Sequence, residues 1–266
     1  MVQFLRNKSQ NRGEQGKVKL LKRIYLCFAY FMAISGFIVT SMSFNFVSWT
    51  TLKFPRIWGG IKNFRNLLQF YFIRWDRLMM KIGVLNLYTP QKTEPKDSNG
   101  EMWLCNHPTI LDGSYLLKFI TNGTCVYKSA IGSNPLYGST VKIADYIPNV
   151  GGPDMVRNAA NKLKSGQDMV IFPEGTRSTR LDTSLFKPGF ALIAKRAEAN
   201  INLLWTDNPQ DFLTRESPYW KAPRLPATIN ITHFKTIHCT RKSSVKDILK
   251  EVIEAYETQA ALNPVK

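Results

Sequence analysis

The chain has 266 residues, with 36 Lys and Arg against 19 Asp and Glu, a formal net charge of +17 and 44% hydrophobic residues. Such a composition excludes a disordered or disulfide-stapled chain and leaves room for one large α/β domain, or one domain with an appendage. The basic excess directs attention to an anionic partner: nucleic acid, an anionic membrane face or a phosphate-bearing substrate. The four cysteines (Cys27, Cys105, Cys125, Cys239) form no C-x-x-C pair, and three lie in apolar runs. They read as reduced, buried thiols in a chain facing the cytoplasm. His233 and His238 lack clustered acidic or thiol companions, so no metal site is expected.

From Ile24 to Leu52 runs a stretch of 29 residues without a charge. Its first part, "IYLCFAYFMAISGFIV", is long enough to approach the ~20 residues of a membrane span. Its second part, "TSMSFNFVSWT", is more polar and aromatic and suits an interface better. A cleaved signal peptide is the lesser alternative, since the apolar stretch is long and no A-x-A-like site closes it. Both flanks are basic: Arg6, Lys8, Arg12, Lys17, Lys19, Lys22 and Arg23 before it, Lys53, Arg56, Lys62, Arg65, Arg74, Arg77 and Lys81 after it. A single crossing places one basic flank outside. A dipping or re-entrant anchor broken near "ISG" (Ile34 to Gly36) keeps both on the cytoplasmic side, and is the expectation. The following "FPRIWGGIKNFRNLLQFYFIRWDRLMMKIGVL" interleaves basic and apolar residues as a helix lying on lipid does. Basic and aromatic residues also suit single-stranded nucleic acid, but that leaves the uncharged run unexplained, so no nucleic-acid partner is expected.

The expected boundary falls at 88/89, with a basic, membrane-anchoring helical motif over 1–88 and an α/β domain over 89–266. A polar Pro/Gly-bearing linker, Thr89 to Glu101, opens the second part. Beyond it, "MWLCN", "TCVYK", "ADYIP", "MVIFP" and "INLLW" read as strands. They alternate with helices near 111–120, 135–143, 153–165 and 188–199, which predicts a mostly parallel sheet flanked by helices. "PATINITHFKTI" adds one or two strands, and "SSVKDILKEVIEAYETQAAL" a C-terminal amphipathic helix.

The chemistry centres on "WLCNHPTILDG". The first strand ends at Asn106, and Pro108 suits the first position of a helix. His107 therefore sits in the loop at a strand's carboxyl end, where open α/β sheets bind ligands. On a regular helix, positions five apart diverge by about 140°, so His107 and Asp112 meet only if the histidine precedes the helix and the aspartate lies in its first turns. Either they form an acid–base pair, or Asp112 merely favours a helix N-terminus and His107 is a surface residue. In "MVIFPEGTRSTR" a buried strand runs into Glu174, Gly175, Thr176 and Arg177. Gly175 permits a tight turn, neighbouring N–H groups and the Thr176 hydroxyl can hold oxyanions, and Arg177 offers a fork matched to phosphate. By itself such a turn is an ordinary strand–loop. "LFKPGFALIAKRA" places Lys187 at a helix start, again with charge suited to phosphate.

"NHPTILD", then "FPEGTRS" with Glu174 67 residues after His107, then "FKPGFALIA", resembles the lysophospholipid and glycerophospholipid acyltransferases, typified by 1-acylglycerol-3-phosphate acyltransferase. The resemblance covers roughly residues 100 to 205. It implies an αβ-acyltransferase fold with an N-terminal membrane-associated helical motif, at the cytoplasmic face of the inner membrane among anionic lipids. It also implies acyl-CoA or acyl carrier protein as donor, a lysophospholipid acceptor and no cofactor. Carried over, His107 is the general base and Asp112 orients its ring. Glu174, Gly175, Thr176 and Arg177 bind the acceptor's head group, Lys128 and Lys187 add anion contacts, and N–H groups near the histidine hold the oxyanion. The chain departs from the family at "ADYIPN", where Ala144 and Asn149 replace a glycine and an arginine, and at Asn202. Those departures keep open a non-glycerolipid acceptor, such as an aryl-polyene-type pigment lipid or an amino-acid lipid. A non-catalytic lipid-binding relative is the third reading.

Overall fold

A computed structural model describes residues 2–53, 61–89, 99–118, 120, 122–217 and 219–263, with side chains over 17–50 and from 64 onward. Helices α1 (Val2–Lys53) and α2 (Ile61–Lys81) lead into β1 (Leu85–Tyr88) and β2 (Met102–Cys105). Then follow α3 (Asp112–Leu117), β3 (Thr124–Lys128), α4 (Gly138–Ile143), β4 (Ile147–Asn149), α5 (Gly152–Lys164) and β5 (Met169–Ile171). The chain ends with α6 (Gly189–Ala197), β6 (Ile201–Asp207), β7 (Ala227–Ile237) and α7 (Val245–Leu262). Residues 90–98 of the expected linker lie outside the described residues.

The seven strands form one sheet in the order β1-β7-β6-β2-β5-β3-β4. β6, β2, β5, β3 and β4 run parallel; β7 pairs antiparallel with β6 and parallel with β1. The mixed α/β architecture with a mostly parallel sheet is the one expected. Short, mostly apolar runs make central strands because both faces of a parallel sheet are covered: all of β5 and the first six residues of β6 are buried. "PATINITHFKTI" yields one strand. Pro148 sits in edge strand β4, where a missing N–H is tolerated.

One core lies between the sheet and α5, α6 and α7, with Ala159, Ala160, Leu163, Phe190, Ile193, Ile248, Val252 and Tyr256 buried. The amphipathic pattern orients these helices, and α5 has Asp154 in its first turn and Lys162 and Lys164 in its last, each matched to the helix dipole. The second core covers the opposite face. It joins Ala29, Tyr30 and Ala33 of α1, Met79 of α2 and Tyr115 and Leu116 of α3 to Leu85, Cys105, Val170 and Leu204 of the sheet.

Two features of the N-terminal region differ from the sequence reading. Helix α1 continues through Ile34–Gly36 without a break. Gly36 serves packing instead: a Cβ there meets Trp75 of α2 at 3.3 Å, so the missing side chain lets the two helices approach. Leu85–Tyr88, expected to close the membrane-anchoring helical motif of 1–88, is a strand of the sheet, so the sheet begins before the expected 88/89 boundary. Gly83, with φ +75°, makes the turn that ends α2.

The polar half of the uncharged run also has a physical account. Asn45 Nδ2 donates to Pro135 O (2.7 Å), and Asn45 Oδ1 accepts from the Ser139 and Thr140 N–H groups (2.7 and 3.3 Å) at the start of α4. Ser48 and Thr140 hydroxyls pair at 3.4 Å. These side chains face the α/β domain. A second tie is the buried ion pair between Asp76 of α2 and Lys118 at the end of α3, supported by Gln69 Nε2 donating to Lys118 O (2.7 Å).

Candidate active site

β2 and β5 are neighbouring parallel strands, paired Met102↔Met169 through Leu104↔Ile171. Their carboxyl ends therefore deliver the loop with His107 and the loop with Glu174–Arg177 to the same edge of the sheet. β6 lies on the other side of β2, so the chain departs to opposite sides of β2 here, the kind of crevice in which open α/β sheets bind ligands.

Asn106 anchors this end of β2. Its side chain donates to Thr206 O (2.9 Å) and accepts from Thr206 N–H (2.7 Å), locking the strand end to β6. His107 follows. Its Nδ1 lies 2.8 Å from Asp112 Oδ2, with the histidine side chain 19% exposed and the aspartate fully buried. Residues 109–111 form a turn and α3 starts at Asp112, so Pro108 is not the first helical residue. The conclusion drawn from it survives: the histidine precedes the helix, the aspartate is in its first turn, and the two meet. The same Asp112 oxygen accepts the Thr109 N–H (2.8 Å). Burial pushes the Asp112 carboxyl up, while His107, the Thr109 N–H and the nearby Arg177 guanidinium pull it back.

Behind the imidazole, Phe172 stacks at 4.0 Å between ring centroids and 17° between planes. With Nδ1 held by Asp112 and one face covered by Phe172, the ring's Nε2 is the nitrogen left for chemistry. The Glu174–Arg177 loop braces the same histidine. Glu174 Oε1 accepts the His107 N–H (3.4 Å), Glu174 Oε2 accepts the Ser178 hydroxyl, and the Ser178 N–H donates to His107 O (3.1 Å). Glu174 is 6% exposed, and burial raises its carboxyl above the ordinary value.

Glu174 was expected to face the acceptor; its carboxylate turns inward and holds the histidine's backbone. Gly175, at φ +66°, reverses the chain and is exposed, and Thr176 and Arg177 are half-exposed beyond it. Arg177 lies close enough to Asp112 and Tyr137 to favour their ionised forms. Lys128, at the end of β3, and Lys187, just before α6, are exposed and belong to the same edge of the sheet. The N–H groups of His107, Thr109, Ile110 and Leu111 all donate within the protein, and Pro108 has none. This loop consequently offers no spare N–H for the expected oxyanion contact.

Phe172, Ser178, Thr109 and Asn106 take part in the site although none was singled out as a site residue. Ser178 and Phe172 sit inside the quoted "FPEGTRS", so their position was visible, but not their orientation. Among the described residues no group of three or more His, Cys, Asp or Glu has the proximity of a metal site.

Residues 88–206 match the family model described as acyltransferase. A 1-acyl-sn-glycerol-3-phosphate acyltransferase of Helicobacter pylori is 29% identical over 112 residues, which cover 40% of this chain and 47% of the relative. One of Cocos nucifera is 27% identical over 146 residues, 51% of this chain and 45% of the relative. The chain thus spans about half the length of the curated relatives it matches. The crystal structure of the 1-acyl-sn-glycerophosphate (LPA) acyltransferase from Thermotoga maritima shares the fold with a TM-score of 0.57 at 18% identity, covering 91% of this chain and 98% of that one. Residues 88–206, whose two motifs the fold brings to one edge of the sheet, are thus similar to the acyltransferase family.

Proposed function

We propose that the chain is a membrane-surface O-acyltransferase that moves a fatty acyl group from acyl-CoA or acyl carrier protein to a lysophospholipid hydroxyl, with 1-acylglycerol-3-phosphate as acceptor and phosphatidic acid as product. The observation that carries this reading is the His107–Asp112 pair at 2.8 Å, braced by the loop that presents Arg177. Asp112 accepts the Nδ1 proton, which leaves Nε2 as the base. Nε2 removes the proton of the acceptor hydroxyl as its oxygen attacks the thioester carbonyl. When the tetrahedral intermediate collapses, the C–S bond breaks, and the imidazolium returns the proton to the departing thiolate. No acyl-enzyme is needed. Arg177 and the turn at Gly175 serve the acceptor's phosphate, with Lys128 and Lys187 adding positive potential.

The seat of α1 supports an in-plane anchor. Leu26, Ala29, Tyr30, Ala33, Ser41 and Ser48 form one buried stripe against the domain, while Phe28, Met32, Val39, Met42, Phe46 and Trp49 are exposed on the other side. By length and composition Lys17–Thr50 could cross a bilayer, but a helix packed from Leu26 to Ser48 against an α/β domain is suited to lie in one leaflet. That arrangement keeps both basic flanks on one side, the cytoplasmic side of the inner membrane.

A second reading, a non-glycerolipid acceptor, is favoured by Asn149, which stands exposed at the end of β4 in place of the arginine that the family resemblance leads one to expect there. Purified protein is expected to release thiol from acyl-CoA only when lysophosphatidate is present, and His107→Ala to abolish release. Full turnover in that variant rejects the base assignment. Acylation of other lipids but not lysophosphatidate, in a panel of acceptors, selects the second reading.

A further inference from the structure

The loop between β6 and β7, described over 208–217 and 219–226, has no part in the chemistry above, yet it is tied to the histidine loop, to the segment that follows Arg177 and to α1. Asn208 closes its base through Phe212, donating to its carbonyl (3.0 Å) and accepting its N–H (2.9 Å). Leu213 O accepts the Ile110 N–H of the histidine loop (3.2 Å), and the Thr179 hydroxyl beyond Arg177 donates to Glu216. The Tyr30 hydroxyl of α1 donates to Tyr219 O (3.0 Å). Phe212 and Leu213 are buried, and Phe212 meets the Tyr30 ring edge-on at 6.2 Å. The root of the loop is thus fixed core.

Its tip is the opposite. Tyr219 and Trp220 are 53% and 67% exposed, with their rings packed edge to face on each other at 5.0 Å. Arg215, Lys221 and Arg224 stand exposed around them, against Glu216, which is engaged by Thr179. The Tyr30 bond places the tip beside the stretch of α1 whose Tyr25, Phe28, Phe31 and Met32 are also exposed.

We propose that the Tyr219–Trp220 tip, held to α1 and to both catalytic loops, is a second contact with an anionic bilayer surface. The proposal deepens the membrane-surface reading and rests on it. Tyr and Trp settle at the headgroup level, and Lys and Arg beside them reach lipid phosphates. The tip is bonded at Tyr30, next to exposed Phe31 on α1, and its basic neighbours complement an anionic leaflet, which favours lipid over a protein partner. Because the same loop grips the His107 and Arg177 segments, seating the tip holds the mouth of the site at the layer where a lysolipid's head group resides.

The test uses the full chain with Cys27→Ser, since Cys105, Cys125 and Cys239 are buried. A single thiol is introduced by Trp220→Cys, by Phe46→Cys on α1, or by Leu262→Cys on α7, which covers the opposite face of the sheet. Each is labelled with an environment-sensitive dye and mixed with vesicles of equimolar phosphatidylglycerol and phosphatidylcholine. Blue shifts at 220 and 46 but not at 262 are expected, weaker on phosphatidylcholine alone. A shift at 46 with none at 220 overturns the second contact and leaves the membrane anchor standing; no shift at either overturns both. Tyr219→Ser with Trp220→Ser is expected to weaken vesicle binding about tenfold and to leave turnover of a monomeric short-chain lysophospholipid unchanged. Unaltered vesicle binding by that variant also overturns the proposal.

Discussion

Asp112→Asn isolates the electrostatic part of the proposed mechanism. The aspartate is fully buried, and one of its oxygens lies 2.8 Å from both His107 Nδ1 and the Thr109 nitrogen. Asparagine keeps the shape and removes the charge. When the imidazole takes the hydroxyl proton, imidazolium and carboxylate face each other with charge centres about 4 Å apart, an attraction of about 4 kcal/mol at an effective dielectric near 20. Losing it in the transition state corresponds to roughly 10³-fold in rate. The assay is thiol release from acyl-CoA with saturating lysophosphatidate, alongside thermal melting. Turnover is expected to fall by that factor with KM for either substrate little changed. Because burial already holds the Asp112 carboxyl up, removing its charge is not expected to lower the melting temperature. A folded variant that keeps turnover within about tenfold of the parent refutes the claim that Asp112 stabilises a charged His107.

Arg177→Ala removes a charge-assisted contact of about 1.5–3 kcal/mol, so KM for a phosphate-bearing acceptor should rise roughly 10- to 100-fold while turnover and donor KM stay near the parent. An equal loss with a phosphate-free acceptor contradicts that role. Lys118→Met strands the buried Asp76 and should cost about 3–5 kcal/mol in urea melts; adding Asp76→Leu should recover most of it, and no recovery speaks against the pair's burial. Burial raises the Glu174 carboxyl above its ordinary 4.5, so folding favours its protonated form. Its contribution is complete below that value and is lost as pH rises through the folded-state value. The melting temperature of Glu174→Gln relative to the parent should therefore increase from pH 4 to pH 7, and a decrease contradicts the sign of the shift.

The alternation of β2, β3, β4, β5 and β6 with their helices was legible because each is written in local period and residue type. The chemistry proposed for His107, Asp112 and Arg177 was legible as types at a spacing, and the strand-end placement of His107 followed from the apolar run before it. Other features were not local. β1 is four residues, too short to show a period against the helix before it, and only its pairing with β7 makes it a strand. A glutamate beside an arginine reads as a ligand for substrate until the fold brings a backbone N–H and a serine hydroxyl to its two oxygens. The polar residues of α1 read as an interface until α4 arrives to accept them.

By itself the sequence determined the residues of the proposed reaction, the class of fold and the basic, apolar character of the N-terminus, since these depend on side-chain chemistry and short-range periodicity. Tertiary structure alone decided that β2 and β5 lie side by side, that Glu174 faces inward, that α1 runs unbroken against the sheet, and that Tyr219 and Trp220 stand beside it. Each of these is set by a contact between residues from about 40 to nearly 200 positions apart. Such contacts depend on which surfaces are left to cover one another once the local elements have formed.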